Sequence, residues 1–478
     1  MINQTQFINN KDMQKELRIF NTLKRKKMVF TPINAQNIRV YACGPTVYNY
    51  AHVGNARMAV VCDLLIKILK SIYKKVTYVS NITDIDDKII EKANKENVPV
   101  KNITEKFLKI YNHDMDELGV SHPSIQPKAT EHISEMILII EKLIKNNNAY
   151  VSKNHVLFHV PSYKHYGSLS RRSIEEQIAG SRIEIAPFKK YDGDFVLWKP
   201  SKKDEPKWSS PWGEGRPGWH LECSAMSEKC LGLPFDIHAG GIDLTFPHHE
   251  NEIAQSCSLT QNSEPKSFAR YWFHNGFVMS NGEKMSKSIG NIKLIHDLLK
   301  EHSGETIRFA LLATHYRQPL NWNNEILDQS RNNLNRFYRF LNGLSKIEID
   351  NVSLKDIPSN FLEALLDDLN TPKAISILFQ LINIKFGNNL EEKRKVKKQI
   401  LSCGKIFGLF QNNPSDWFGY NSVKKDSNDI NKIIANRNIA RKKKNFELAD
   451  TLRNQLKEMG IEIEDNKSGT TWRKIKKN

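Results

Sequence analysis

The chain lacks the long apolar run that a membrane helix needs. In 478 residues no apolar stretch approaches the roughly 20 residues required to cross a bilayer. The apolar run at 136–140, for example, is followed at once by Glu141 and Lys142. The start of the chain lacks the charged and then apolar pattern of a signal peptide. Cysteine is scarce, with six residues, which excludes a disulfide-dense scaffold. These absences predict a cytoplasmic protein with no membrane partner, whose cysteines serve packing or chemistry.

Negative charge is also under-represented. Lys and Arg number 71 and Asp and Glu 53, which gives a net charge of +18. Such an excess is typical of proteins that bind a polyanion such as RNA, but it also fits a lysine-rich composition spread over solvated faces. With 39% hydrophobic and 26% charged residues the chain is an ordinary globular protein, and its length predicts roughly three domains.

A strand, a helix and a second strand follow one another near the start of the chain. The apolar segment 38–42 predicts a strand, Asn55 opens an amphipathic helix, and 76–80 predicts the second strand. This order is a βαβ unit with parallel strands. It places Cys43 and Thr83 at neighbouring carboxyl ends, where open α/β sheets bind their ligands.

The first candidate nucleotide motif is HVGN, residues 52–55, at the junction of the first strand and its helix. Gly54 permits close approach of the backbone to a phosphate, the helix start supplies free amide donors, and His52 can donate to a phosphate oxygen. The alternative is a turn that only caps the helix.

The second candidate is KMSKS, residues 284–288, on a loop flanked by glycines. Lys284 and Lys287 on either side of Ser286 can surround a triphosphate and neutralise charge on a leaving pyrophosphate. The alternative is a solvated basic turn. In this order the two motifs resemble the signatures of class I aminoacyl-tRNA synthetases. The first motif has Asn55 where its namesake has a second histidine, and asparagine still offers an amide donor.

A set of soft and hard ligands predicts a zinc site. His248 and Glu252 lie four residues apart, so a helix would point both at one ion. Cys43 and Cys223 complete a set of two sulfurs, one nitrogen and one oxygen that suits Zn²⁺. His249 is a rival ligand, because it lies three residues before Glu252. The alternative for the two cysteines is a role as small core residues.

Long segments beyond these motifs resemble the cysteinyl-tRNA synthetase family of bacterial type, from about residue 17 to 473. They include NITDIDDKI (81–89), FVLWKP (195–200), THYRQPLNW (314–322), DDLNTPKA (367–374) and ADTLRNQLKEMGIEIEDNKSGTTWR (449–473). The resemblance implies one zinc ion per chain on Cys43, Cys223, His248 and Glu252 that binds the sulfur of the substrate cysteine. It also implies Mg²⁺ with the ATP.

The resemblance further implies ATP-dependent activation of L-cysteine to cysteinyl-adenylate and transfer to the 3′ adenosine of tRNA(Cys). The ATP would be held by His52, Gly54, Asn55, Lys284, Ser286 and Lys287, of which His52, Asn55, Lys284 and Lys287 would act on the reacting phosphates. The substrate would be contacted by Trp219, Thr46, Thr83 and Asp243, each with a structural role as the alternative. His220 and His238 would lie around the metal or the thiol. The tRNA would be contacted by Arg437, Arg441, Lys442 and Trp472.

The expected architecture is α/β, with a Rossmann-like parallel-sheet catalytic domain over residues 17–297 and an insertion around 150–218. A helical tRNA-binding bundle over 298–411, a linker at 412–429 and a small α+β anticodon-binding module at 430–478 would follow. In this last module we expect one charged helix over 431–459. We expect a monomer rather than an oligomer.

Two other classes of function remain at this stage. A cysteine ligase that acts on an amino sugar would share the catalytic half and the zinc, but it leaves the last third of the chain without a role. A zinc-containing RNA-binding protein without catalysis would not explain why both nucleotide motifs occur together.

Overall fold

A parallel unit follows an N-terminal hairpin. The structure is a computed structural model that describes residues 16–171, 186–260, 263–285, 290–418, 427–459, 461–466 and 469–474. The first elements are β1 (Arg18–Asn21), β2 (Lys26–Val29), β3 (Ile38–Ala42), α1 (Val53–Ile72) and β4 (Val76–Ser80). Strands β3 and β4 are parallel, with Ile38 opposite Val76, as the predicted βαβ unit requires. The buried residues of α1 between Val53 and Leu69 are mostly aliphatic, which explains why the helix packs against the sheet.

The central sheet is completed by strands from far downstream. After α2 (Asp87–Glu96), α3 (Val100–Glu117) and α4 (Ile133–Lys145), the chain returns to it through α5 (Trp219–Leu231), β9 (Phe235–Gly241), α6 (His248–Cys257) and β10 (Ala269–Asn275). The order is β10-β9-β3-β4, and every pair is parallel. All carboxyl ends therefore meet at one edge.

A second sheet lies in the stretch expected as an insertion. It is antiparallel, in the order β5-β6-β7-β8, and its strands are β5 (Ala149–Ser152), β6 (His155–Phe158), β7 (Phe195–Pro200) and β8 (Gly215–Pro217). Trp198 of β7 is fully buried. Short 3₁₀ turns lie at Ala129–Glu131, Val160–Ser162, Ile242–Thr245, Pro265–Ser267 and Leu354–Asp356.

A small three-stranded sheet carries the KMSKS motif. Strands β11 (Val278–Ser280) and β12 (Glu283–Lys284) form a hairpin, and β13 (Leu320–Trp322) pairs with β11 in parallel. Helices α7 (Ile295–Glu301) and α8 (Gly304–Leu312) lie between them in the chain. The prediction of helix from Leu298 onward is therefore wrong at β13, whose three residues are too few to show a strand period.

Helices make up most of the remaining chain. They are α9 (Asn324–Gly343), α10 (Ser359–Leu366), α11 (Thr371–Ile382), α12 (Leu390–Phe407), α13 (Pro414–Trp417), α14 (Ser427–Lys442) and α15 (Phe446–Glu458), followed by the hairpin β14 (Ile461–Asn466) and β15 (Gly469–Lys474). Among the described helices, none combines the length and the apolar character that a bilayer span requires.

Two expectations for this region are corrected. The single helix predicted over 431–459 is two helices, because Lys444 adopts a left-handed φ of 58° and Asn445 caps α15 by accepting from the Leu448 N–H. The start of the predicted linker is packed structure, since Trp417 stacks on Tyr338 at 4.4 Å between ring centroids and Phe418 is buried.

One buried ion pair joins four helices. Arg308 of α8 is fully buried and pairs with Asp63 of α1, and it also donates to the carbonyls of Leu118 (3.1 Å) after α3 and Phe407 of α12. Burial disfavours the ionised Asp63, but Arg308 and Lys67 outweigh it and lower the pKa of that carboxyl.

Replacing Asp63 with Asn should lower the free energy of unfolding by about 3 to 5 kcal/mol, because it leaves the Arg308 charge buried without its partner. The loss should be full above the ordinary aspartate pKa of about 3.9 and shrink as the pH falls below it, because the unfolded parent then binds a proton that the folded Asp63, with its lowered pKa, binds only at still lower pH. Urea unfolding measures it. Glu391→Gln, which breaks an exposed pair with Arg394, is the control and should cost under about 1 kcal/mol. Equal, small losses would contradict the role of the buried pair.

Candidate metal centre and nucleotide site

Four predicted ligand residues meet at the carboxyl edge of the central sheet. Cys43 directly follows β3, Cys223 lies on α5, and His248 and Glu252 lie one turn apart on α6. All four are buried, and one ligand atom from each lies within 4.8 Å of the others. The sulfurs of Cys43 and Cys223 are 3.7 Å apart, and Nε2 of His248 is 3.0 Å from Oε1 of Glu252. This group can hold a metal ion.

The rival ligand His249 reaches the same place. Its Nε2 lies 3.4 Å from the Cys43 sulfur, and a second buried group of Cys43, His238, His249 and Glu252 also satisfies the distances of a metal site. The two groups share Cys43 and Glu252. The first group has two sulfurs and the second has one, so the first suits a soft metal better.

Strong electrostatic coupling marks these side chains. A hydrogen bond from Cys43 lowers the pKa of the Cys223 thiol to about 6, whereas burial raises the pKa of Cys43 well above its usual range. Burial disfavours the Glu252 carboxylate, but His238 and His248 outweigh burial and lower its pKa to about 2. Burial also disfavours the His248 imidazolium, but Glu252 and Cys223 raise its pKa to about 10. Glu252 and Cys223 are thus held in the anionic forms that bind a cation.

Outer contacts orient the first group. His238 places Nε2 2.8 Å from Oε2 of Glu252, and His220 places Nδ1 2.9 Å from Nδ1 of His248. Histidines that contact a ligand side chain in this way fix its orientation. Trp219 stacks on His248 at 4.4 Å between ring centroids, and its exposed fraction is 39%. With His220 it lines a cavity of about 250 Å³ between the central sheet and the insertion.

The two predicted substrate threonines pair with each other. Thr46 and Thr83 form an isolated parallel bridge, and the buried Thr83 hydroxyl donates to Oε2 of Glu222 at 2.9 Å. Asp243 lies on a 3₁₀ turn after β9, close enough to His52 to oppose the loss of that histidine's charge.

Sequence reasoning assigned no role to Asn81, which the structure places at the cluster. Its Oδ1 accepts from the Gly44 N–H at 2.9 Å and lies 3.6 Å from the Cys223 sulfur. A Cβ on Gly44 would lie 1.6 Å from the Asn81 carbonyl oxygen, so glycine is required beside Cys43. The available signal was the position of Asn81 at the start of the NITDIDDKI segment.

The HVGN motif is a helix cap. His52 is the N-cap of α1, where its Nδ1 accepts from the Asn55 N–H at 3.2 Å and its own N–H donates to Oδ1 of Asn55 at 3.1 Å. The capping alternative thus describes its local role. Burial lowers the pKa of His52, with Asp243 opposing. The Asn55 amide nitrogen takes no part in this capping box and faces no competition from it for a ligand.

Only the start of the KMSKS motif lies within the described residues. Lys284 ends β12, and its side chain lies outside the described residues, as do Ser286 and Lys287. Beyond the motif the chain returns to the HVGN segment, because the Val53 N–H donates to the Lys293 carbonyl at 3.0 Å.

The residues predicted to contact RNA have different surroundings in the C-terminal module. Arg437 is 5% exposed and binds the Asp465 carboxylate through two nitrogens at 2.9 and 2.7 Å, and Arg441 binds the same carboxylate. The expectation of an RNA contact is therefore corrected for Arg437, whose charge is neutralised inside the module. Lys442 is exposed. Trp472 lies on β15, opposite Ile463, and its side chain is outside the described residues.

Three family models match the chain. One described as the catalytic domain of class I (C) tRNA synthetases matches residues 29–332. One described as a DALR domain matches residues 360–411, and one described as a cysteinyl-tRNA ligase anticodon-binding domain matches residues 427–473.

Curated relatives are similar over almost the whole chain. A cysteine–tRNA ligase of Parvibaculum lavamentivorans is 49% identical over 471 residues, 98% of this chain and 99% of the relative. One of Wolbachia pipientis wMel is 48% identical over 461 residues, 95% of this chain and 99% of the relative.

Solved structures share the fold. Mycobacterium tuberculosis methionyl-tRNA synthetase with methionyl-adenylate has a TM-score of 0.54 at 14% identity, covering 78% of this chain and 89% of that one. The Agrobacterium radiobacter K84 agnB2 LeuRS of a ternary complex has a TM-score of 0.55 at 11% identity, covering 81% and 86%. The predicted α/β fold is confirmed.

The purified chain should hold one zinc ion, and Cys223→Ser should lower zinc content and cysteine affinity together, because a hydroxyl is a poorer ligand for zinc than a thiolate. Elemental analysis by mass spectrometry and cysteine titration measure the two effects.

A histidine pair distinguishes the two candidate ligand groups. His248→Asn should lose zinc and the matched variant His249→Asn should keep it. The opposite pattern would assign the ion to the second group, and active protein without zinc would contradict both.

Proposed function

The chain belongs to the cysteine–tRNA ligase family, and we propose that it activates L-cysteine with ATP and transfers the cysteinyl group to the 3′ adenosine of tRNA(Cys). The resemblance predicted from the sequence is confirmed by the family models and by relatives about as long as the chain itself. The amino-sugar and non-catalytic alternatives gain no support, since an anticodon-binding model matches residues 427–473 beside a synthetase catalytic model.

The observation that carries the proposal is the buried group of Cys43, Cys223, His248 and Glu252 at the carboxyl edge of the sheet. Zinc held there would supply a soft Lewis acid that prefers the thiolate of cysteine to the hydroxyl of serine. Discrimination of this kind lies in binding, so no separate editing site is needed. Trp219 flanks the group on the cavity side, where its indole can pack against a small side chain.

The remaining substrate contacts follow from the same edge. Asp243 is the candidate partner for the ammonium group of cysteine, because it is an acidic side chain on the turn between β9 and α6. Thr46 and Thr83 would orient main-chain atoms of the substrate, and their backbone bridge joins the segment after β3 to the segment after β4.

The two nucleotide motifs would hold ATP, with Mg²⁺ on its phosphates. Attack of the cysteine carboxylate on the α-phosphorus needs alignment and charge stabilisation rather than a protein nucleophile. Gly54 lets the phosphates approach the start of α1, and His52 and Asn55 would donate to them. Lys284, Ser286 and Lys287 would stabilise the pyrophosphate as it leaves.

RNA recognition is assigned to the helical and C-terminal parts. We propose a bundle over residues 298–411 that docks tRNA, with β13 belonging to the catalytic domain, and an anticodon-binding module over 430–478. Lys442 and Arg441, which are both exposed, would meet phosphates, and Trp472 would stack on a base. The proposal includes a monomer in the cytoplasm.

Cysteine-dependent exchange of pyrophosphate into ATP tests the proposed function directly. Cysteine should support rapid exchange, and serine and alanine should support little, because neither offers a thiolate. Exchange that is equal with serine would contradict selection through sulfur.

Lys287→Ala should slow exchange by a factor of ~10² to 10³, the usual cost of losing one preorganised charge at a reacting centre. Zinc content should stay the same, because the lysine acts on phosphate charge. Lys266→Ala, at an exposed position of the same domain, is the control. An undiminished rate in the Lys287 variant would refute the role.

The double variant Lys442→Ala/Lys443→Ala should weaken tRNA binding and reduce its salt dependence, by about 0.7 to 0.9 in the log–log slope per lost phosphate contact. Both lysines are exposed, and exchange should be unaffected. The matched control is Lys74→Ala/Lys75→Ala, just before β4 at the opposite edge of the sheet. Equal salt slopes in both double variants would contradict the assignment.

A further inference from the structure

Arg57 is a buried cation whose hydrogen-bond partners among the described residues are backbone carbonyls. It lies one turn into α1 and is fully buried. Its Nη1 donates to the carbonyls of Gly276 and Phe277, both at 2.9 Å, and its Nη2 donates to those of His315 (3.2 Å) and Gln318 (2.7 Å). All four hydrogens of the two terminal nitrogens are used, in the fork geometry that only a guanidinium provides.

The four acceptors form the base of the arm that carries the KMSKS motif. Gly276 and Phe277 connect β10 to β11, and the β11–β12 hairpin leads directly into the motif. His315 and Gln318 precede β13, which pairs with β11. The two acceptor segments also bind each other, since the Gly276 N–H donates to the Tyr316 carbonyl at 2.8 Å. Arg57 therefore holds, from one point on α1, the two segments that lead into β11 and β13.

The far side of the KMSKS motif is fixed to the same helix start. The Val53 N–H donates to the Lys293 carbonyl at 3.0 Å, and the Ile295 N–H donates to the Ala51 carbonyl at 2.8 Å. The chain that enters the motif is thus held through Arg57, and the chain that leaves it is held through backbone bonds beside His52. The chain segments on both sides of the KMSKS motif are therefore attached to the first residues of α1 or to the residues just before it.

In the described part of the chain, carbonyl dipoles compensate the Arg57 charge. Among the described residues no carboxylate forms an ion pair with it, and its Nε has no hydrogen-bond partner. Burial lowers the pKa of Arg57 to about 10, so the side chain remains a cation at neutral pH. A buried cation without a carboxylate is a costly way to fill space, which argues for a role in holding these four carbonyls in place.

We propose that Arg57 is a positioning residue for adenylate formation, which sets the separation between the HVGN motif and the KMSKS motif. This inference rests on the proposed function, because the distance matters only if both motifs act on one ATP. A displacement of about 1 Å at a reacting centre can reduce a rate by ~10²-fold. Arg57 joins the helix that begins at the HVGN motif to the base of the arm that carries the KMSKS motif, and it therefore controls such a displacement.

The test compares Arg57→Lys with Arg39→Lys. Arg39 also donates to two backbone carbonyls, those of Leu231 and Pro234, but these lie before β9 at the opposite edge of the sheet. Each variant is assayed as the full chain for cysteine-dependent pyrophosphate exchange, with kcat and the KM for ATP and for cysteine determined separately. Zinc content and the thermal midpoint are measured on the same samples.

Arg57→Lys should reduce kcat/KM for ATP at least tenfold while the KM for cysteine and the zinc content stay within twofold of the parent. Arg39→Lys should leave all of these constants within twofold. Unchanged ATP constants in folded Arg57→Lys would overturn the proposal, as would a loss of zinc and cysteine binding in parallel with the rate, since a general structural role predicts that pattern.

Gly276→Ala tests the same joint and decides the case if Arg57→Lys does not fold. A Cβ at Gly276 would lie 2.7 Å from the Arg317 carbonyl oxygen and 2.8 Å from that of Gln318, so it must shift one acceptor segment while Arg57 remains. The same selective loss in ATP constants is expected, and parent-like constants would overturn the proposal. If the unmodified chain shows no cysteine-dependent exchange, the proposed function fails and this inference fails with it. If the parent exchanges and both variants match it, only the positioning role fails.

Discussion

The structure depends on compensating buried charge at one point. Cys43, Cys223, His248 and Glu252 lie within 4.8 Å of one another in the interior, and two of them are held as anions. Desolvation of each ion costs several kcal/mol unless an opposite charge lies close by. A divalent cation would supply that charge, and the two cysteine sulfurs make zinc the fitting candidate. The surrounding sheet, with every strand parallel, exists as a frame that delivers these groups to one edge.

The arrangement of the elements also explains how the candidate metal group and the two nucleotide motifs can serve one reaction. The metal group follows β3 and lies on α5 and α6, whereas the HVGN motif caps α1 and the KMSKS motif follows β12. The residues proposed for sulfur recognition therefore lie on the central sheet and its helices, whereas those proposed for phosphate chemistry lie on α1 and on the small sheet of β11, β12 and β13. Arg57 and the backbone bonds near Lys293 connect the phosphate elements to each other without contact to the metal group. A substitution that disturbs the phosphate elements should therefore leave the metal group intact, and the reverse should also hold.

The sequence predicted those features that depend on residues close together in the chain. The βαβ unit follows from strand and helix periods, and the pairing of His248 with Glu252 follows from a four-residue spacing on a helix. Tertiary contacts escaped prediction. The partner of Arg437 lies 28 residues away on β14, the strand β13 is too short to show a period, and the carbonyls that bind Arg57 carry no sequence signal. The choice between His248 and His249 also requires the fold, because both spacings suit a helix.

X-ray absorption at the zinc edge tests most directly whether the metal selects the substrate through its sulfur. The resting protein should show two sulfur ligands, from Cys43 and Cys223. Addition of L-cysteine should raise the sulfur count to three, whereas L-serine should leave it at two. A resting count of one, or a count that L-cysteine does not change, would contradict the account.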